Sequence, residues 1–271
     1  RTRSPDRACE LAMAFAAAAA SSGGPAFFSS AGAAPMAADI GPAAATVVPK
    51  SVGIKEHRFE PYDFNGGTVL AIGGKDFVVV AVDPRLSEDY HILTRDVNRS
   101  VVLSPHCVLA TGGCHTDVTT LHKVIDMRVK DYKHDHEVDI ETHSVAQMLG
   151  NTLYGRRFFP YYAFNVLSGL DAEGKGAVYT YDAVGSFERV PYACQGAGQR
   201  LIIPYLDNVV GFKSRTDKPE GDLTPEAAVN IAKDAFITAA ERQIRVGDSI
   251  RIFTIARGVA MKEARFAIRE D

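Results

Sequence analysis

Val118, Leu121, Ile125, Val129 and Tyr132 recur at steps of three and four, the stripe of an amphipathic helix running from about Cys114 to Tyr132. A second stripe, Val145, Met148, Leu149 and Leu153, predicts another helix over about 143–154, with no strand pattern between the two. Strand-like runs precede the pair at Thr68–Ile72, Phe77–Val82, Val101–Leu103 and Cys107–Thr111. Tandem helices set between runs of strands do not fit a doubly wound parallel sheet, in which each crossover helix separates two strands. Antiparallel sheets covered by helices are the expected architecture.

The rest of the chain continues this order. Gly73-Gly-Lys-Asp76 supplies turn chemistry between the first two strands, which read as a hairpin. Strands at about Ala163–Leu167 and Ala177–Tyr181 flank the loop Asp171-Ala-Glu-Gly-Lys-Gly176, and a short helix is expected after Gly198. Thr224-Pro225-Glu226 is the clearest helix start: a capping hydroxyl, a proline suited to the first helical position, and an acid at the positive end of the dipole. That helix is expected to reach about Arg242, with Ala228, Ile231, Ala235 and Ala239 on one face, and Ile250–Ala256 to follow as a strand. Lys262–Asp271 reads as an exposed tail or edge strand. No repeat and no long linker follows residue 60, so one domain over residues 58–271 is expected.

Composition changes near residue 50. Seventeen of the first fifty residues are alanine, and no charge occurs between Glu10 and Asp39. Leu11–Ala20 is a ten-residue apolar run behind Arg1, Arg3 and Arg7, too short for a membrane span of about 20 residues. It has the outline of a signal-peptide core, but Asp6 and Glu10 interrupt the basic flank. Residues 1–57 are therefore expected to be a disordered extension or pro-segment rather than a targeting signal. A net charge of −3 argues against a bulk nucleic-acid binder. Four scattered cysteines, with no CxxC pair, give neither a disulfide scaffold nor a zinc ribbon.

Three local groupings have sharper readings than they merit. His134, His136 and His143 resemble a metal-ligand set, but the acids around them favour a solvated helix–helix connection. Cys114 follows a Gly-Gly turn at a helix start, where a thiol can be activated, yet only His115 is nearby as a base. Arg156-Arg157 with Phe158, Phe159, Tyr161, Tyr162 and Phe164 could stack bases, but without a basic surplus it reads as core packing and a protein contact. No nucleotide loop is present among the Gly-rich stretches.

Gly66-Gly-Thr-Val-Leu-Ala71, Val82-Asp-Pro-Arg85 and Ala110-Thr-Gly-Gly-Cys-His-Thr-Asp117 resemble the ordered landmarks of proteasome beta-type subunits. The resemblance covers about residues 64–256. Arg156–Tyr162 and Gly169–Tyr179 are similar to the member at the sixth position of the beta ring. It implies an α+β fold, the four-layer α-β-β-α sandwich of N-terminal-nucleophile hydrolases, with two antiparallel sheets between helix layers. It further implies a place in the 20S core, in a seven-membered ring touching other beta subunits, the opposite beta ring and the alpha ring, in cytoplasm and nucleus. No cofactor, metal, nucleic acid or membrane is implied.

In catalytic members a mature N-terminal threonine attacks the peptide carbonyl, with a carboxylate and a lysine tuning the proton transfer and a glycine amide stabilising the oxyanion. Asp83 matches the carboxylate inside Val-Asp-Pro-Arg, and Gly113 matches the oxyanion glycine. Gly67 stands sixteen residues before Asp83 where the threonine belongs, and Arg99 sixteen after it where the lysine belongs. Glycine has no nucleophile, and arginine does not give up its proton at usable pH. Ala197, Gln243 and Val246 replace the serine, aspartate and serine or threonine of active members. Thr68 is one residue out of register, so its hydroxyl is expected on the opposite strand face, away from Asp83. A non-catalytic subunit is expected, with an active Thr68 hydrolase as the alternative.

Overall fold

Strand side chains alternate faces, and β1, Thr68–Gly73, is buried on both. Leu70 and Ile72 enter one apolar cluster, while Val69 and Ala71 enter another. A strand covered on both faces belongs to an inner layer, and the architecture follows from that. The structure is a computed structural model that describes residues 60–213, 215–217 and 221–268. The Ala-rich extension expected over 1–57, with its Leu11–Ala20 run, lies outside the described residues.

In chain order, β2 is Phe77–Val82, β3 Leu86–Glu88, β4 His91–Thr94, β5 Ser100–Ser104 and β6 Cys107–Gly113. Helix α1, His115–His136, and helix α2, Thr142–Tyr154, follow. Then come β7 Ala163–Leu170, β8 Gly176–Tyr181, β9 Phe187–Val190 and β10 Tyr192–Gly196. Helix α3, Gln199–Val209, and helix α4, Pro225–Ala240, precede β11 Ser249–Ala256 and β12 Val259–Ala267.

Two five-stranded sheets form, in the orders β10-β1-β2-β11-β12 and β5-β6-β7-β8-β9, with β3 and β4 as a separate hairpin. The paired strands are antiparallel. Val69, Val80, Val108, Val166, Val178 and Phe253 fill the space between the sheets. Val118, Leu121, Ile125 and Leu149 seal α1 and α2 onto the second sheet, and Ile202, Leu206, Ala232 and Phe236 seal α3 and α4 onto the first. The order of layers is helices, sheet, sheet, helices. Thr224 caps α4 through its side chain, which accepts from Ala227 N.

The differences from the sequence reading have physical causes. β10 reads Tyr-Ala-Cys-Gln-Gly and lacks a β-branched run, but pairs along β1 in an unbroken antiparallel register. β12 is a nine-residue edge strand whose mixed charges suit solvent on both faces, with Met261 and Phe266 reaching back to the cores. It begins before the expected tail at Lys262. Helix α4 stops at Ala240 instead of Arg242, and it buries Ala232 and Phe236 while Ile231 is only half-buried.

Candidate functional site

The sequence Asn65-Gly66-Gly67 delivers the chain into β1 through two consecutive left-handed residues, at φ +74° and +85°. Both conformations disfavour any residue with a Cβ. At Gly67 the restriction is doubled, because a Cβ there would lie 2.7 Å from Cζ of Arg99. The guanidinium occupies the space that a side chain at 67 would need.

Arg99, immediately before β5, is 1% exposed. Its Nη2 donates to the carbonyl of Asn65 at 2.7 Å and to that of Arg85 at 3.0 Å. Burial pushes its pKa down to about 10, against the pull of Asp83, so it stays cationic at neutral pH. Asp83 sits at the end of β2, wholly buried, and its Oδ1 accepts from the Arg85 amide at 2.9 Å. Burial pushes its carboxyl up to about 8 despite that bond and the guanidinium groups of Arg99 and Arg85. Asp83 Oδ2 and Arg99 Nε and Nη1 make no hydrogen bond among the described residues.

The amide of Gly113 donates to the carbonyl of Gly66 at 3.0 Å, and that of Ala197 to the carbonyl of Gly67 at 3.1 Å. Gly113 itself has φ +115°, and a Cβ there would come within 2.5 Å of the Tyr162 carbonyl. Gln243 Nε2 donates to the Ala197 carbonyl at 3.0 Å. The structure thus gathers Gly67, Asp83, Arg99, Gly113, Ala197 and Gln243 around the entry to β1. The Val246 amide donates to the Gln243 carbonyl at 3.0 Å, and its side chain is buried in the core under α3 and α4. Thr68 is fully buried, and its Oγ1 accepts from the Gly198 amide at 2.9 Å. Its hydroxyl is therefore engaged on the α3 side of the sheet. As arranged, these groups hold a turn in place and present no hydroxyl at position 67.

Several supports were not singled out from the sequence. Asn65 Oδ1 accepts from the His115 amide at 2.9 Å, tying the turn to the start of α1. Asp248 accepts from Arg85 Nε at 2.7 Å and from Arg95. Burial alone would raise its carboxyl, but those guanidinium bonds hold it below the usual range. Arg245 donates to the Phe64 carbonyl and stacks over the Phe64 ring at 5.0 Å. The Asn-Gly-Gly triplet and the arginine of Val82-Asp-Pro-Arg85 were the available signals. Asp248 and Arg245 come from the far end of the chain and carried none.

The other groupings resolve simply. His134 and His136 lie in the last turn of α1, His143 is on α2, and among the described residues no three metal-ligating side chains cluster. Cys114 precedes α1 as its N-cap without a side-chain cap bond and is buried. The aromatic run is not core throughout: Tyr161 is buried, but Phe158 is 96% exposed and Phe159 is exposed too. The turn at 155–157 lifts those two rings off the sandwich, and Arg157 stacks over the rings of Tyr154 and Phe158 at 5.7 Å. Among the described residues no helix is long and apolar enough to cross a membrane.

The sequence pattern of the family described as "Proteasome subunit" matches residues 63–255. Proteasome subunit beta type-1 of Danio rerio is 45% identical over 219 residues, covering 81% of this chain and 92% of that protein. Its Arabidopsis thaliana counterpart is 46% identical over 222 residues, covering 80% of this chain and 99% of that protein. That of Drosophila melanogaster is 45% identical over 222 residues, covering 81% and 94%.

Proposed function

The chain belongs to the proteasome subunit family, and from that premise we propose that it serves in the 20S beta ring as a subunit without peptidase activity of its own. The observation that carries this reading is the arginine packed against Gly67. A nucleophile is missing, and the room for one is taken by Arg99. An arginine also cannot act as the amine of tunable pKa that the threonine chemistry uses. The amide of Gly113, the family's oxyanion donor, is bonded to the chain's own Gly66 carbonyl. Position 197 carries no hydroxyl, and Gln243 has no carboxylate.

The alternative, hydrolysis by Thr68, has no observation in its favour. Its hydroxyl is buried and bonded to Gly198 on the other side of the strand.

In this role the subunit builds the wall of the chamber and supports ATP- and ubiquitin-dependent degradation by catalytic neighbours. It contacts two beta neighbours, the opposite beta ring and the alpha ring, and works in cytoplasm and nucleus. Residues 1–57 act as an extension or pro-segment, and the domain runs over 58–271, with a mature start near Arg58 or Phe59. Retention of the segment before Gly67 fits its contacts. Tyr62 donates to the Pro160 carbonyl at 2.6 Å and stacks on Phe159, while Phe64 packs edge-on against Tyr162 and Phe164. The test is hydrolysis of peptide substrates by the purified full chain, with Thr68→Ala alongside. No turnover by either is expected; turnover that Thr68→Ala abolishes would overturn the reading.

A further inference from the structure

Beside the turn at Gly67 lies a cleft of about 490 Å³, lined by Phe64, Tyr162, Phe164, Gln199, Arg200 and Arg245 with Gly196, Ala197 and Gln243. That volume falls within the range of about 300–1,000 Å³ typical of ligand clefts. Its chemistry is lopsided. Two guanidinium groups line it and no carboxylate does. Arg200 is exposed and makes no ion pair among the described residues. The cleft also holds an aromatic wall whose geometry is fixed by ring contacts. Phe64 meets Tyr162 at 6.1 Å and Phe164 at 6.3 Å, and Tyr162 meets Phe164 at 5.2 Å, all edge-on. Arg245 is held over Phe64 and bonded to its carbonyl, so one of the two cations is already positioned.

We propose that this cleft binds peptides through a carboxylate taken by Arg200 and Arg245, with a neighbouring apolar or aromatic side chain against Phe64, Tyr162 and Phe164. A planar guanidinium matches a carboxylate with two parallel hydrogen bonds, and aromatic edges suit an apolar neighbour. The amide of Gln199 lines the same cleft and can meet a peptide backbone. The proposal rests on the placement of this chain in a peptide-producing particle. Within that placement it gives a subunit without a nucleophile a role in holding acidic fragments near the sites that make them. The carboxylate can come from an acidic side chain or from a peptide C-terminus.

The experiment uses the assembled particle with its threonine nucleophiles blocked by a covalent inhibitor. Mass spectrometry first establishes that the chain is present. Benzophenone-bearing hexapeptides with a Glu-Phe pair, a Lys-Phe pair, or neither acid nor base are then crosslinked by light, each with a free or amidated C-terminus. The Glu-Phe peptide is expected to label this chain at residues around 162–164 or 196–200. Labelling should fall about five-fold in Arg200→Glu, while that of the Lys-Phe peptide rises. Labelling by the amidated Glu-Phe peptide assigns the side chain as the source of the carboxylate, and labelling only by free-acid peptides assigns the C-terminus. Equal labelling by amidated acidic and basic peptides with no gain from a free C-terminus, or indifference to Arg200→Glu, would overturn the proposal. A chain absent from the particle overturns the ring placement instead, whereas a chain present but unlabelled overturns the cleft.

Discussion

A single added methyl group at position 67 should be unusually damaging, and the structure says by how much. Gly67→Ala places a Cβ at a backbone φ of +85°, where a residue with a Cβ loses about 1–2 kcal/mol. The same Cβ would stand 2.7 Å from Arg99 Cζ, so the guanidinium must move. Its two carbonyl bonds, to Asn65 and Arg85, are then strained or lost. Hydrogen bonds to a charged group are worth about 1.5–3 kcal/mol each, and partial loss of the pair adds about 2–3 kcal/mol. The substitution should therefore cost about 3–5 kcal/mol, a large fraction of the stability of an ordinary domain. The check is a double-mutant cycle on the full chain, followed by circular dichroism in urea. In an Arg99→Ala background, Gly67→Ala should cost only the backbone share, about 1–2 kcal/mol. If the two substitutions add with no coupling, Arg99 does not fill the space at residue 67, and the steric half of the account is wrong.

Further predictions concern pH and the buried charges. Asp83 holds its proton up to about pH 8 when folded, while the unfolded carboxyl releases it near 3.8, so this group's contribution favours unfolding increasingly as pH rises between those values. Asp83→Asn should flatten the decline in urea midpoint between pH 5 and 8; an unchanged slope would refute the assignment. His122 runs the other way: burial lowers its pKa to about 4, and its Nε2 pairs with Thr111 Oγ1 at 2.9 Å. Stability should fall by about 3 kcal/mol as pH drops from 6.5 to 4, and His122→Gln should remove most of that loss in the same titration. Asp248→Ala leaves Arg85 buried without its carboxylate, and should cost about 3–5 kcal/mol in a thermal or urea melt, against about 1 kcal/mol for capping residue Thr224→Ala.

Much of the fold was legible because its helices carry strict periodicity. The stripe through Val118, Leu121, Ile125 and Val129 is buried as read, and Thr224-Pro225 begins its helix as read. β10 and the β3–β4 hairpin were not legible. Their pairing comes from partners distant in sequence or from a short turn at Asp89, with φ +46°, rather than from apolar alternation. The candidate site divides along the same line. Gly67 and Asp83 are joined by β1, a turn and β2, and Arg99 lies beyond the β3–β4 hairpin, so it was the family's sixteen-residue spacing that brought the three together. Asn65, Asp248 and Arg245 support that turn across the fold, over sequence separations of 50, 153 and 181 residues to their bonded partners, which no local pattern encodes. Val246, matched to the family only by position, has an apolar side chain buried beneath the helices.

The most direct measurement of the central claim is intact-mass analysis of this chain from its native assembly after exposure to a threonine-directed covalent probe. The chain is expected to retain residues before Gly67 and carry no probe, in a particle whose catalytic subunits are modified. A chain that begins at Thr68 and bears one probe molecule would contradict that claim.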